Sequence, residues 1–214
     1  MEFGCHPAAK RRDLLLSPSQ PEPLHILDVG TGSGAIAIAL ARNLPHAHIT
    51  ATDISPAALE VAAANAARHH LTPRITFLQS DLLSALQADP MPYSSHSNKR
   101  DRQAPALTRE ARPEQYEVLV SNPPYVSTAD RATLHPQVRD HEPATALFAG
   151  ASGLDIYRRL IPQARAALKP NGLLALEIGH NQRDALAILL ADWQSLRFVD
   201  DLQDIPRVAL ARKP

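Results

Sequence analysis

The stretch His25-Ile26-Leu27-Asp28-Val29, running straight into Gly30-Thr31-Gly32-Ser33-Gly34 and then into the apolar run Ala35 to Arg42, restricts the possible fold more than any other part of the chain. The first five residues read as a short buried strand, and the run after the glycines reads as a helix. A strand that passes through a glycine turn directly into a helix is the opening unit of a parallel α/β sheet. Glycines there let the backbone turn sharply and approach a ligand closely, and the helix N-terminus adds unpaired N–H groups. The spacing is G-x-G-x-G, not the dinucleotide G-x-G-x-x-G. It suits a smaller ligand without a pyrophosphate, one whose amino-acid carboxylate and amine sit against the loop.

The rest of the chain alternates in the same way, as a parallel sheet with crossovers requires. Helices are predicted at Ser33 to Asn43, Pro56 to His70, Leu154 to Leu168 and Gln182 to Trp193. Ser55 caps the second, with Pro56 at its first position and Leu59, Ala62, Ala63 and Ala66 facing the sheet. Lys169-Pro170-Asn171 stops the third helix, and Gly172 leads into a strand at Leu173 to Ile178. Further strands are predicted at Ile49 to Thr52, Ile75 to Leu78, Tyr116 to Val120, Leu196 to Val199 and Val208 to Ala211. The expected fold class is α/β: a doubly wound, seven-stranded, mostly parallel Rossmann-like sheet. Its ligand belongs at the carboxyl ends of the strands, near the point where the strand order reverses.

Three further groups fall at those strand ends. Asp53 follows the second strand, where an acid takes both hydroxyls of a ribose. Asp81 follows the third and is available to accept from an adenine amine. Asn122-Pro123-Pro124-Tyr125 follows the apolar Val118-Leu119-Val120. Proline lacks an N–H and fixes φ, so two in succession end the strand and leave nearby carbonyls without a ladder partner. Asn122 Oδ1 and the Pro123 carbonyl can then accept both hydrogens of one planar NH2 group, with Tyr125 over its flat face. Together these groups describe an S-adenosylmethionine site beside a receptor for an amide or exocyclic amine.

The order Leu27-Asp28-Val29-Gly30-Thr31-Gly32-Ser33-Gly34, then Asp53, Asp81 and Ser121-Asn122-Pro123-Pro124-Tyr125, resembles the protein N5-glutamine methyltransferases that modify peptide chain release factors. His141-Glu142-Pro143-Ala144-Thr145-Ala146-Leu147-Phe148-Ala149-Gly150 with Gly153-Leu154-Asp155 is similar to that family's E-P-x-x-A-L segment. Leu176-Glu177-Ile178-Gly179 with Gln182, and Pro206-Arg207-Val208, are similar to its C-terminal strands. The resemblance runs from about residue 24 to residue 212. It implies a class I S-adenosylmethionine-dependent fold whose last strand inserts antiparallel. Implied cofactor contacts are Asp28, Gly30, Thr31, Gly32, Gly34, Asp53, Asp81 and Asn122. Implied catalytic residues are Asn122, Pro123, Pro124 and Tyr125, with Asn122, Pro123, Tyr125 and Glu142 binding the substrate. The partner it implies is a release factor carrying a Gly-Gly-Gln glutamine.

Two departures stand out. Members of that family carry a small helical domain before the catalytic one, which is not recognisable in residues 1–23. That segment, with Pro7, Pro18, Pro21 and Pro23, reads as an irregular lead-in to a catalytic domain at 24–214. Residues 89–115, rich in Pro, Ser, Asn and charge, read as a flexible surface insertion; its Lys99, Arg100, Arg102, Arg109 and Arg112 form a solvated loop.

Composition separates the remaining functional classes. The chain has 22 basic and 22 acidic residues, so it lacks the bulk electrostatic footprint of a nucleic-acid binder. An adenine-N6 methyltransferase presents the same NH2 geometry but needs a target-recognition region and a basic groove. Another glutamine-bearing acceptor, such as a ribosomal protein, and a non-catalytic cofactor-binding domain stay open as alternatives. Cys5 is the only cysteine, which fits a reducing compartment. No signal peptide or membrane-length apolar stretch is present, so a cytoplasmic monomer with no membrane or direct nucleic-acid contact is expected. His46/His48 and His69/His70 lack converging cysteine or acid ligands, so no metal site is expected.

Overall fold

The computed structural model describes residues 23–87, 115–133 and 143–214. Apart from residues 23 and 115, the expected lead-in and insertion lie outside the described residues, as does Glu142. Strands β1 (Leu24–Val29), β2 (Ala47–Asp53), β3 (Ile75–Gln79), β4 (Tyr116–Ser121), β5 (Leu168–Glu177), β6 (Gln194–Asp200) and β7 (Pro206–Arg212) form one sheet in the order β3-β2-β1-β4-β5-β7-β6. β7 runs antiparallel to β5 and β6, and the other pairs are parallel. This is the expected doubly wound α/β architecture. The strand order reverses between β1 and β4.

Helices cover both faces because the strands are apolar on both sides. α1 (Ala35–Asn43) and α2 (Pro56–Arg68) lie on one face, where Ala37, Ala41 and Ala66 pack against Ile26, Ile49, Ala51 and Ile75. The short turns α3 (Ser84–Gln87) and α4 (Ala144–Leu147) precede α5 (Asp155–Ala167) and α6 (Arg183–Leu189). On the other face Tyr157, Leu160, Ala164 and Leu186 meet Leu27, Val29, Leu119, Leu174 and Leu176. Each such Leu, Ile or Val side chain contributes about 1.5–3 kcal/mol on burial. Ser55 does cap α2, its Oγ accepting from the Ala58 N–H at 3.3 Å. Ala63, expected to face the sheet, is exposed, while Ala62 and Ala66 are buried. The buried stripe is centred on Ala62 and Ala66, with Leu59 half-buried on one flank, and at about 100° per residue Ala63 lies farther from that centre than Leu59 does.

Other boundaries also differ. α6 ends at Leu189 instead of Trp193. Residues 190–193 instead turn so that Trp193 packs into the core beside β6. β5 starts at Leu168 rather than Leu173, because Leu168 already pairs with Tyr116. The irregularity expected at Lys169-Pro170-Asn171 survives as a register shift in that pairing, with Asn171 at φ 61°. Among the described residues, no helix is long and apolar enough to cross a membrane.

Candidate functional site

Strand register brings the expected groups to one edge. Val29 pairs with Thr52 on one side and Ser121 on the other, and Asp53 pairs with Gln79. Gly30, Asp53 and Asn122 therefore leave neighbouring strands side by side, at the carboxyl ends and across the strand-order reversal. Ser121 fastens this junction: its buried hydroxyl donates to the Val29 carbonyl at 2.7 Å.

The glycine turn is built on β1 and β2. The Gly30 and Thr31 N–H groups both donate to the Thr52 carbonyl, at 2.8 and 2.9 Å. Asp28, fully buried beneath the turn, accepts through Oδ2 from the Thr31 hydroxyl at 2.7 Å and from the Ala37 N–H at 3.1 Å. Burial pushes its carboxyl up to about 6, opposed by those two donors and reinforced by the charge of Asp53. Asp28 Oδ1 and Thr52 Oγ1 are buried with no hydrogen-bond partner among the described residues. Buried acceptors of this kind need a donor, from a bound molecule or an ordered water.

Gly34 sits at φ +82° as the residue before α1, and a Cβ there would lie 3.1 Å from Ala62 Cβ. The left-handed conformation alone costs an L-residue about 1–2 kcal/mol. We expect Gly34→Ala to cost about 2 kcal/mol in urea unfolding once α2 is also displaced. An unchanged midpoint would show that the turn is not pressed against α2.

Asp53 holds the turn from the side. Its Oδ2 accepts from the Gly32 N–H and its Oδ1 from the Ser55 N–H, each at 2.9 Å. A carboxylate has about four lone-pair sites, so both oxygens keep capacity for a pair of hydroxyls. Beyond it opens a cleft of about 420 Å³ lined by Ile54, Gln79, Ser80, Asp81, Ser84 and Ala85. Asp81 is exposed in this cleft and ion-paired with Arg159 at 2.6 Å, from α5. Ile54 is 60% exposed, an apolar side chain at the cleft wall. Sequence reasoning passed over Ile54 and Arg159. The signal for Ile54 was present: a large apolar residue standing directly after a strand-end acid. Arg159 carried none, being 78 residues from its partner.

β4 ends at Ser121, and residues 122–125 belong to no strand or helix, as two prolines require. Asn122 is exposed, and neither its side chain nor the Pro123 carbonyl is hydrogen-bonded to another described residue. Neither acceptor is engaged by a described residue, with Asn122 exposed and Pro123 buried. Tyr125 is half-buried, its hydroxyl donating to Glu177 Oε1 at 3.4 Å and its ring packed on the core. Among the described residues, no group of three or more His, Cys, Asp or Glu could hold a metal ion.

A family profile described as "Methyltransferase domain" matches residues 22–197. A release factor glutamine methyltransferase of Koribacter versatilis is 39% identical, over 95% of this chain and 70% of that protein. A ribosomal protein uL3 glutamine methyltransferase of Bordetella pertussis is also 39% identical, over 88% of this chain and 55% of that protein. Other release factor glutamine methyltransferases are matched over about half their length. In fold, the crystal structure of a ribosomal protein L11 methylase from Lactobacillus delbrueckii subsp. bulgaricus superposes with a TM-score of 0.56 at 21% identity, over 92% of this chain and 73% of that one. The chain belongs to the methyltransferase-domain proteins and, among them, to the release factor glutamine methyltransferase family.

Proposed function

We propose that this chain transfers a methyl group from S-adenosylmethionine to the side-chain amide nitrogen N5 of a glutamine, that of the Gly-Gly-Gln loop of a peptide chain release factor, in the cytoplasm. The observation that carries the reading is the pair of acceptors that no described residue engages, Asn122 Oδ1 and the Pro123 carbonyl, one strand away from a glycine turn with an orphaned buried carboxylate oxygen.

The residues present fit the cofactor. Asp28, beneath the turn, supplies negative charge for an ammonium, directly or through a water, and the N–H-rich start of α1 suits a carboxylate. Asp53 suits the two hydroxyls of a ribose, and the Ile54/Asp81 cleft suits a flat base bearing an amine. When bound, S-adenosylmethionine supplies a methyl group on a sulfonium, which is already a strong electrophile. The chain's own work lies on the amide side. A carboxamide nitrogen is a poor nucleophile because its lone pair is delocalised into the carbonyl. Accepting both of its hydrogens at Asn122 and Pro123 fixes the nitrogen's orientation and favours pyramidalisation. As positive charge develops on nitrogen those two hydrogen bonds strengthen, which stabilises the transition state more than the ground state. No strong base is required, since the methylated nitrogen becomes acidic enough to lose its proton to water.

The likeness to the uL3-directed enzyme supports a second reading, in which the glutamine belongs to a ribosomal protein. Labelled S-adenosylmethionine offered with a release factor, the same factor with its Gly-Gly-Gln glutamine replaced by alanine, uL3 and duplex DNA distinguishes these. Label on the unmodified factor alone is the expected result. Label on uL3 alone would move the assignment to the second reading, and label on DNA would overturn both.

A further inference from the structure

We infer that Gln182 is the positioning residue that holds the Asn122-Pro123 acceptor pair in place; this rests on reading that pair as the receptor for the target amide. The receptor has few means of anchoring itself. Between Ser121 and Tyr125 only Asn122 has a backbone N–H, because Pro123 and Pro124 have none. Its geometry is therefore set at its flanks, by Ser121 on one side and Tyr125 on the other.

At the Tyr125 flank the ring rests on the core and one amide holds the backbone. Gln182 Nε2 donates to the Tyr125 carbonyl at 2.9 Å and to the Gly153 carbonyl at 3.1 Å. Gln182 Oε1 accepts from the Gly179 N–H at 2.9 Å. A single planar group thus joins the segment after β4, the turn before α5 and the segment after β5. The fit leaves no room around it. A Cβ at Gly153, which stands at φ +69°, would fall 2.3 Å from the Tyr125 oxygen and 2.9 Å from Gln182 Nε2. A Cβ at Gly179 would fall 3.0 Å from Gln182 Oε1 and 3.1 Å from Tyr125 Cδ2. Beyond Tyr125 the chain is tied down again: the Val126 and Thr128 N–H groups donate to the Leu147 and Gly150 carbonyls, each at 2.9 Å. Gln182 thus ties down the backbone carbonyl immediately downstream of the receptor, while the core holds the Tyr125 ring.

Gln182→Glu tests this most sharply, because it keeps the shape and the Gly179 acceptor while replacing both donated bonds with a carboxylate facing two carbonyls. In the full-length chain, amide hydrogen exchange at Tyr125, Val126 and Thr128 should quicken, with Gly30 and Thr31 unchanged. With a release factor as acceptor, kcat should fall about tenfold or more while the affinity for S-adenosylmethionine stays the same. Gln182→Ala should behave alike. Faster exchange throughout the chain would mean a general structural role and overturn the inference. Unchanged exchange at 125–128, or quickened exchange with unchanged kcat, would also overturn it. If the wild-type chain transfers no methyl, the amide-receptor reading fails instead, and the exchange pattern alone decides whether Gln182 holds this segment.

Discussion

Replacing Asn122 with alanine is expected to lower kcat roughly 10²–10³-fold, the size of effect seen when one preorganised transition-state hydrogen bond is removed. The side chain is exposed and makes no hydrogen bond to other described residues, so its loss should leave unfolding within about 0.5 kcal/mol of wild type. β4 keeps its end fixed through Ser121 and Val29 whatever stands at position 122. Single-turnover kinetics beside equilibrium binding of S-adenosylmethionine separate the two roles expected for Asn122. A fall in kcat with unchanged cofactor affinity assigns it to the acceptor amide. Parallel loss of both would make it a cofactor contact and contradict a role in holding the target amide.

The second large effect concerns Asp28. With its carboxyl raised from 3.8 to about 6, the folded chain holds a proton that the unfolded chain releases. Stability contributed by this proton is complete below about pH 4 and is lost as pH rises through 6, by at most about 3 kcal/mol. Cofactor binding should run the other way. An ammonium above an ionised Asp28 is favoured and above a neutral one is not, so affinity for S-adenosylmethionine should fall about tenfold for each pH step below 6. Asp28→Asn should weaken binding about a hundredfold at neutral pH, the worth of a charge-assisted hydrogen bond in a dry site. It should also remove the dependence between pH 5 and 7. Calorimetric titration at several pH values checks both. An affinity flat from pH 5 to 7 in the wild type would mean that Asp28 does not sense the ligand's charge.

Much of this site can be read from sequence because its determinants are local. A strand, three glycines and a helix within twenty residues dictate the turn, and the left-handed φ at Gly30, Gly32 and Gly34 is what those glycines are for. Asp53 and Asn122 could be placed because each stands directly after an apolar strand, and parallel register then brings strand ends together. What could not be read depends on partners far along the chain. The Gln182 amide meets Tyr125 and Gly153 across 57 and 29 residues, and no spacing rule signals such a hub. The pairing of Asp81 with Arg159 is hidden for the same reason. The early start of β5 is a tertiary effect, with Leu168 recruited by Tyr116 despite the Lys169-Pro170-Asn171 breaker.

The chemical identity of the methylated atom decides whether Asn122 and Pro123 receive a glutamine amide. A release factor labelled by this chain with radioactive methyl should, on complete acid hydrolysis, release the label as volatile methylamine, because an N5-methylated glutamine breaks down to glutamate and methylamine. Label that stays with a methylated lysine, arginine or histidine after hydrolysis, or transfer that survives replacement of the Gly-Gly-Gln glutamine, would contradict that assignment.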